Sequence, residues 1–412
     1  MNAPESSTAA DLRGVGRLVI DATTGITDLV EAMHRNIARV PGVTSSQENG
    51  RTSGVTGFVY RTVRGVTRVV GGGVDAALAL VSPALSDVPS PRARGAIVAA
   101  LNGVLGDHLE ETNNPLATKM QLRSATQALS LSREALSAQL PLATPKIVVF
   151  VHGLCMNEQG WISDASDTQS VIDETYDFGK RLAAEAGFTP VYLRYNTGRH
   201  VSENGREFAA QMKALVAAWP VPIESVAIVA HSMGGLVSRS AMHYGRKARH
   251  AWCKSIDAMV FLGTPHLGAP LERGGHWIDL LLGATPYASP LAKLGKVRSN
   301  GINDLRHGSV LDDDRHADSG APLPANEHRI VKLPSGVRCY AIAATMKPSG
   351  HEKADWMGDG LVPLVSALAE DKTDARSLKF AEQNRAVVND RNHMDLLKDR
   401  TVYALLYGFI AK

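Results

Sequence analysis

Two rhythms divide the chain. Up to about residue 140 apolar residues recur every three or four positions, and beyond it short apolar runs alternate with amphipathic stretches. In the first part Leu12, Val15 and Val19, then Ile26, Val30, Met33 and Ile37, keep helical spacing, while Gly14, Gly16 and Gly25 break the pattern into pieces. Val59, Val63, Val66 and Val70 make a second apolar stripe, with Arg61, Arg64 and Arg68 on another face. Residues 13–19 and 64–70 resemble each other, as a degenerate helical duplication or a chance match in a Gly-, Val- and Arg-rich chain would. Residues 96–109 and 125–140 also read as helices, so 1–140 is expected to be an α-helical N-terminal region.

The character changes between Pro141 and Pro145. From there five apolar runs read as strands, at 147–151, 190–195, 226–230, 258–262 and 337–342. Helical stretches lie near 171–186, 203–218 and 235–244. This alternation predicts an α/β domain over 141–412, a mostly parallel sheet with helices on both faces. Such sheets carry their sites at the carboxyl ends of the strands.

Composition changes this picture little. A net charge of +3 over 412 residues, with no long basic tract, gives no reason to expect nucleic acid as a partner. Cys155, Cys253 and Cys339 are odd in number and far apart, which suggests neither a disulfide framework nor a zinc site and fits a reducing compartment. Residues 1–8 lack the basic start and apolar core of a secretory signal. No apolar run approaches the roughly 18 residues needed to span a bilayer. A cytoplasmic location is therefore expected. The basic amphipathic stretch before residue 71 leaves peripheral contact with a membrane or lipid granule open. Valine is poor for deep lipid contact, which favours packing of these valines on protein instead.

The chemistry concentrates in Ser225-Val226-Ala227-Ile228-Val229-Ala230-His231-Ser232-Met233-Gly234-Gly235-Leu236-Val237. An apolar run, a turn around one serine and a helix would lift Ser232 from a strand end as a nucleophile. Small residues two positions to either side, Ala230 and Gly234, let strand and helix pass closely. The usual first residue of this pattern is glycine, and alanine would make a positive φ at 230 costly. A serine hydroxyl needs a base, a group to orient that base, and donors for the oxyanion. The N–H of Met233 is one donor candidate. Leu154, in the His152-Gly153-Leu154 segment after the first strand, offers the other. For the acid, Asp359 sits in the glycine-flanked loop Met357-Gly358-Asp359-Gly360, with Asp312, Asp313, Asp314 and Asp390 as rivals. In such a fold the order along the chain is serine, acid, histidine. Of the 14 histidines only His393 follows Asp359.

These segments, with Gly263-Thr264-Pro265-His266-Leu267-Gly268, Asp359-Gly360-Leu361-Val362-Pro363 and Asn392-His393-Met394-Asp395, resemble the α/β-hydrolase lipases and esterases. The likeness is to bacterial triacylglycerol lipases with an Ala-His-Ser-Met-Gly-Gly elbow and to the branch of deacylases acting on GPI inositol. It covers roughly residues 146–412. It implies an α/β-hydrolase fold, a triad of Ser232, Asp359 and His393, oxyanion donors Leu154 and Met233, an ester or lipid substrate and no cofactor. It also implies a helical cap inserted at about 267–336, where residues 277–282 and 291–294 would give helices with apolar faces. Some related lipases hold a structural calcium through an aspartate just after the histidine. Asp395 matches that position, but no partner aspartate stands near Val337. Residues 1–140 match no lipase module. An intracellular polyester depolymerase, an acyltransferase or an amidase would share the triad. A membrane- or granule-bound scaffold is the alternative outside enzymes.

Overall fold

The computed structural model describes residues 91–162, 176–269, 299–315, 323, 327, 330–348, 358–371 and 376–411. The valine stripes and the repeated segment before residue 71, and the expected cap helices at 277–282 and 291–294, lie outside the described residues. The chain divides into two compact units, Met1–Ser90 with Leu109–Ala117 and Pro91–His108 with Thr118–Lys412. In the first, Asn113 turns at φ 52° and donates its N–H to Glu110 O at 2.9 Å.

In chain order the described elements begin with helix α1 (Pro91–Glu111), strand β1 (Gln121–Arg123), helix α2 (Arg133–Gln139) and strand β2 (Lys146–Val151). Helix α3 (Phe178–Ala186), strand β3 (Phe188–Arg194), helix α4 (Val201–Ala218), strand β4 (Ser225–His231), helix α5 (Met233–Lys247) and strand β5 (Ile256–Leu262) follow. Helix α6 (Asn300–His307), strand β6 (Arg338–Thr345), helix α7 (Leu364–Ala367), strand β7 (Arg385–Asn389) and helix α8 (Arg400–Ile410) complete the set.

Among the described residues seven strands form one sheet in the order β1-β3-β2-β4-β5-β6-β7. Strand β1 runs antiparallel to β3, and all other neighbours are parallel. The central strands are buried on both faces, which is why they read as unbroken apolar runs. Their side chains still alternate. Val149 and Val151 with Ile228 and Ala230 enter the core under α4 and α5, which supply Phe208, Met212, Leu236 and Val237. Val148 and Phe150 with Ala227 and Val229 enter the opposite core, with Phe178, Leu182, Val402 and Leu406 of α3 and α8. Fully burying one such side chain stabilises the fold by about 1.5–3 kcal/mol.

All five predicted strands are present. Two more, β1 and β7, escape the pattern because they are short and end in polar residues; of β7 only Val388 is buried. The helix expected over 125–140 covers only α2. Ser124 Oγ accepts the Thr126 and Gln127 N–H groups in a turn before it, and Ser132 caps α2 by accepting from Ala135 N at 3.2 Å. All three cysteines are free and buried. Among the described residues no helix is long and apolar enough to cross a membrane.

Candidate active site

Each predicted site residue follows the carboxyl end of a parallel strand: Leu154 after β2, Ser232 after β4, Asp359 after β6 and His393 after β7. Helix α5 begins directly after Ser232, so Met233 N–H is one of the first-turn donors that no intrahelical carbonyl can take. The serine itself sits at φ 54°, ψ −126°, outside the regions L-residues favour. Its N–H donates to Leu262 O on β5 at 2.9 Å, which anchors the turn. Strain of this type is of order 1–3 kcal/mol and persists only where the surroundings enforce it.

The enforcement is close packing. A methyl group on Gly234 would stand 2.5 Å from Val151 O and 2.6 Å from His152 O, so α5 passes β2 with no room for a side chain. One on Gly235 would overlap Thr264. Ala230 is fully buried in β4 and is not among the positive-φ residues. The feared cost of alanine there does not arise, because the left-handed residue is Ser232.

The loop after β2 closes on the serine. A methyl on Gly153 would stand 3.0 Å from Ser232 Cβ and 3.1 Å from His231 Nδ1. Leu154 is fully buried. Cys155, at φ 59°, donates its N–H to Thr197 Oγ1 at 3.2 Å, and Tyr195 donates its hydroxyl to His152 O at 2.8 Å. A methyl on Gly103 of α1 would overlap Cys155 Sγ, so that helix backs the loop closely. Sequence reasoning missed Tyr195, Thr197 and Gly103. Nothing in the chain flags partners over 40 residues away.

On the other side His393 and Asp359 meet. Nδ1 of His393 lies 2.7 Å from Asp359 Oδ2, and both side chains are essentially without solvent contact. Asp359 Oδ1 accepts from Leu361 N at 3.0 Å and Val362 N at 2.8 Å, which fixes the carboxylate. His393 N–H donates to Asp359 O at 3.0 Å. His393 Nε2 is buried with no partner, so no hydrogen bond to Ser232 is formed here. Such bonds are commonly long before substrate arrives. A methyl on Gly263, next to the anchor Leu262, would stand 3.1 Å from Asp359 Oδ2 and 3.2 Å from His393 Cε1, so the dyad lies against the end of β5, whose Leu262 O accepts the Ser232 N–H.

Two other histidines are excluded as bases by their surroundings. Burial pushes His152 down to about 4, and burial together with the neighbouring His393 holds His231 well below the ordinary histidine range. Both stay neutral at pH 7. Of the rival acids, Asp314 accepts two backbone N–H groups and Asp312 is engaged by Arg206, Arg315 and Tyr244. Asp390 turns at φ 58° beside the Arg391–Asp399 pair. None of these residues is a hydrogen-bond partner of His393.

Asp395, the position matched to a calcium ligand, sits in a turn after His393. Its Oδ2 accepts Asn392 N–H at 2.9 Å, and the described residues contain no cluster of three His, Cys, Asp or Glu able to hold a metal. A cavity of about 20 Å³ lies elsewhere, among Arg239, His266, Asp314 and Arg376. Each of these four has one buried polar atom without a partner, and the space suits a bridging water.

Residues 143–340 match the family model of the PGAP1-like alpha/beta domain. The chain has the α/β-hydrolase fold. The matched part of the chain includes Leu154, Ser232 and Met233 and ends before Asp359 and His393. No curated protein matches it. Among solved structures it is similar to Aspergillus fumigatus lipase B, at 16% identity and TM-score 0.33, with 63% of this chain and 51% of that chain covered. The chain thus spans about half the length of that lipase. The Pyrococcus furiosus esterase Pf2001 is 14% identical, TM-score 0.37, with 65% and 81% covered. The RedJ thioesterase of Streptomyces coelicolor prodiginine biosynthesis is 14% identical, TM-score 0.39, with 66% and 87% covered.

Proposed function

We propose that this α/β-hydrolase is a serine hydrolase of carboxylic esters, with a lipid-like acyl substrate. The observation that carries the reading is the buried His393–Asp359 pair at 2.7 Å, whose Nε2 has no partner, beside a serine in a left-handed turn. In this reading Ser232 Oγ attacks the acyl carbonyl as His393 Nε2 takes its proton. Asp359 holds the imidazole with Nδ1–H toward its carboxylate and balances the imidazolium charge. The N–H groups of Leu154 and Met233 receive the oxyanion, each donor worth about 2.7–4 kcal/mol at the transition state. The alcohol leaves with the proton from His393. Water, deprotonated by His393, then releases the acid from the acyl-serine. Because Nδ1 is committed to Asp359, only Nε2 can shuttle that proton.

A fluorophosphonate probe tests this directly. Wild type should be labelled on Ser232, and Ser232→Ala should not. An unlabelled wild type, or equal labelling of the variant, overturns the reading. Hydrolysis of p-nitrophenyl esters of increasing length should then favour long acyl chains, and a preference for acetyl removes the lipid-like substrate.

A further inference from the structure

His231 precedes the serine yet has no part in the chemistry above. Its ring is fully buried, with its centroid 4.5 Å from that of His393, and its Nε2 lies 3.0 Å from the backbone oxygen of His393. A carbonyl only accepts, so His231 carries its proton on Nε2 and donates it. Nδ1 is left without hydrogen and without partner, close to Gly153. Burial keeps the ring neutral, so this tautomer persists at pH 7.

The bond completes a three-point mount. The His393 N–H is held by Asp359 O, its side-chain Nδ1 by Asp359 Oδ2 and its C=O by His231 Nε2. The first two ties come from one loop, after β6. The third comes from β4, the strand that carries the nucleophile. The histidine loop itself follows an edge strand, and among the described residues this is the hydrogen bond that ties it to β4. We infer that His231 is a positioning residue that, by donating Nε2–H to the His393 carbonyl, sets the place of the base relative to Ser232. The inference rests on the serine-hydrolase reading.

Three variants of the full chain separate the donor from the ring. Gln at 231 can place a side-chain N–H near the Nε2 position, Phe keeps a ring without a donor, and Leu keeps neither. His231→Gln should retain kcat within about threefold of wild type. His231→Phe and His231→Leu should lose about tenfold to hundredfold in kcat at nearly unchanged KM, the range expected when a buried carbonyl loses its donor. The downfield proton resonance of the His393–Asp359 bond should persist in His231→Gln and broaden or shift in His231→Phe. Folding is checked by thermal melting, and a variant that fails to fold leaves the other donorless one to decide. The inference is overturned if a folded donorless variant keeps wild-type kcat, or if His231→Gln falls as far as the donorless variants. Failure of wild type to react with a fluorophosphonate would instead remove the underlying reading, so the two failures are distinct.

Discussion

The serine and the histidine reach the same end of the sheet by opposite means. Ser232, the proposed nucleophile, is placed by backbone packing: a left-handed turn, an N–H tied to Leu262, and glycines at 153, 234 and 235 whose Cα atoms lie against neighbouring atoms. Its side chain makes no capping hydrogen bond to the helix it precedes. His393, the proposed base, follows β7, a half-exposed edge strand, and hydrogen bonds place it. An attacking oxygen must stay free to react, so only its backbone can be fixed. An imidazole has a second nitrogen to spend on orientation. The side held by packing should therefore break through volume changes, and the side held by hydrogen bonds through loss of a donor or acceptor.

The largest effect is expected at Asp359→Asn. The amide oxygen can still accept from Leu361 and Val362 N–H, so the loop should survive. Its NH₂ group would then face His393 Nδ1, forcing the proton onto Nε2, where the base must be empty. A drop in kcat of about 10⁴ is expected, with melting temperature nearly unchanged. A loss under tenfold would mean that the carboxylate does not set the tautomer.

Gly234→Ala attacks the other side. The added methyl meets two backbone oxygens within 2.6 Å, and backbone cannot rotate away. Destabilisation of about 2–3 kcal/mol is expected, measured by urea unfolding. Gly408 on α8 is the control, since a methyl there meets nothing within 4 Å. Gly408→Ala should stabilise by about 0.5–1 kcal/mol through helix propensity. If both substitutions act alike, close approach at the elbow is not what holds the serine.

The same contrast explains what was legible in the chain. Five central strands could be read because burial on both faces leaves them almost purely apolar, as in Lys146–Val151 and Ser225–His231. Strand β7 could not, because an edge strand of Arg-Ala-Val-Val-Asn keeps polar ends. The elbow was legible because packing demands small residues at fixed offsets from Ser232. Its strain was expected at Ala230 and lies two residues later, since the spacing alone does not say which residue turns left-handed. Hydrogen-bonded placement left fainter marks. Asp359 was read from its glycine-flanked loop and His393 from chain order after it, whereas the tie from His231 to a carbonyl 162 positions away leaves no local pattern.

The last prediction concerns acid. Two neutral, buried histidines, His152 just after β2 and His231 at the end of β4, belong to the side of Ser232. Each has a folded pKa depressed below its unfolded value. Above pH 6.5 neither state binds the proton, and the full contribution to stability is present. As pH falls below 6.5 the unfolded chain takes up protons that the fold refuses, so stability declines, for His152 until about pH 4. The slope is at most about 1.4 kcal/mol per pH unit for each histidine. Urea unfolding at pH 6 and pH 5 measures it, with His152→Phe as comparison. Phenylalanine can keep the stacking on Tyr195, whose ring lies 4.4 Å away, and cannot titrate. The variant should lose about 1 kcal/mol less than wild type between those two values. An equal loss would place the acid sensitivity in paired carboxylates instead of the β2 loop, and a packed side that resists acid as well as the hydrogen-bonded one would weaken the distinction between them.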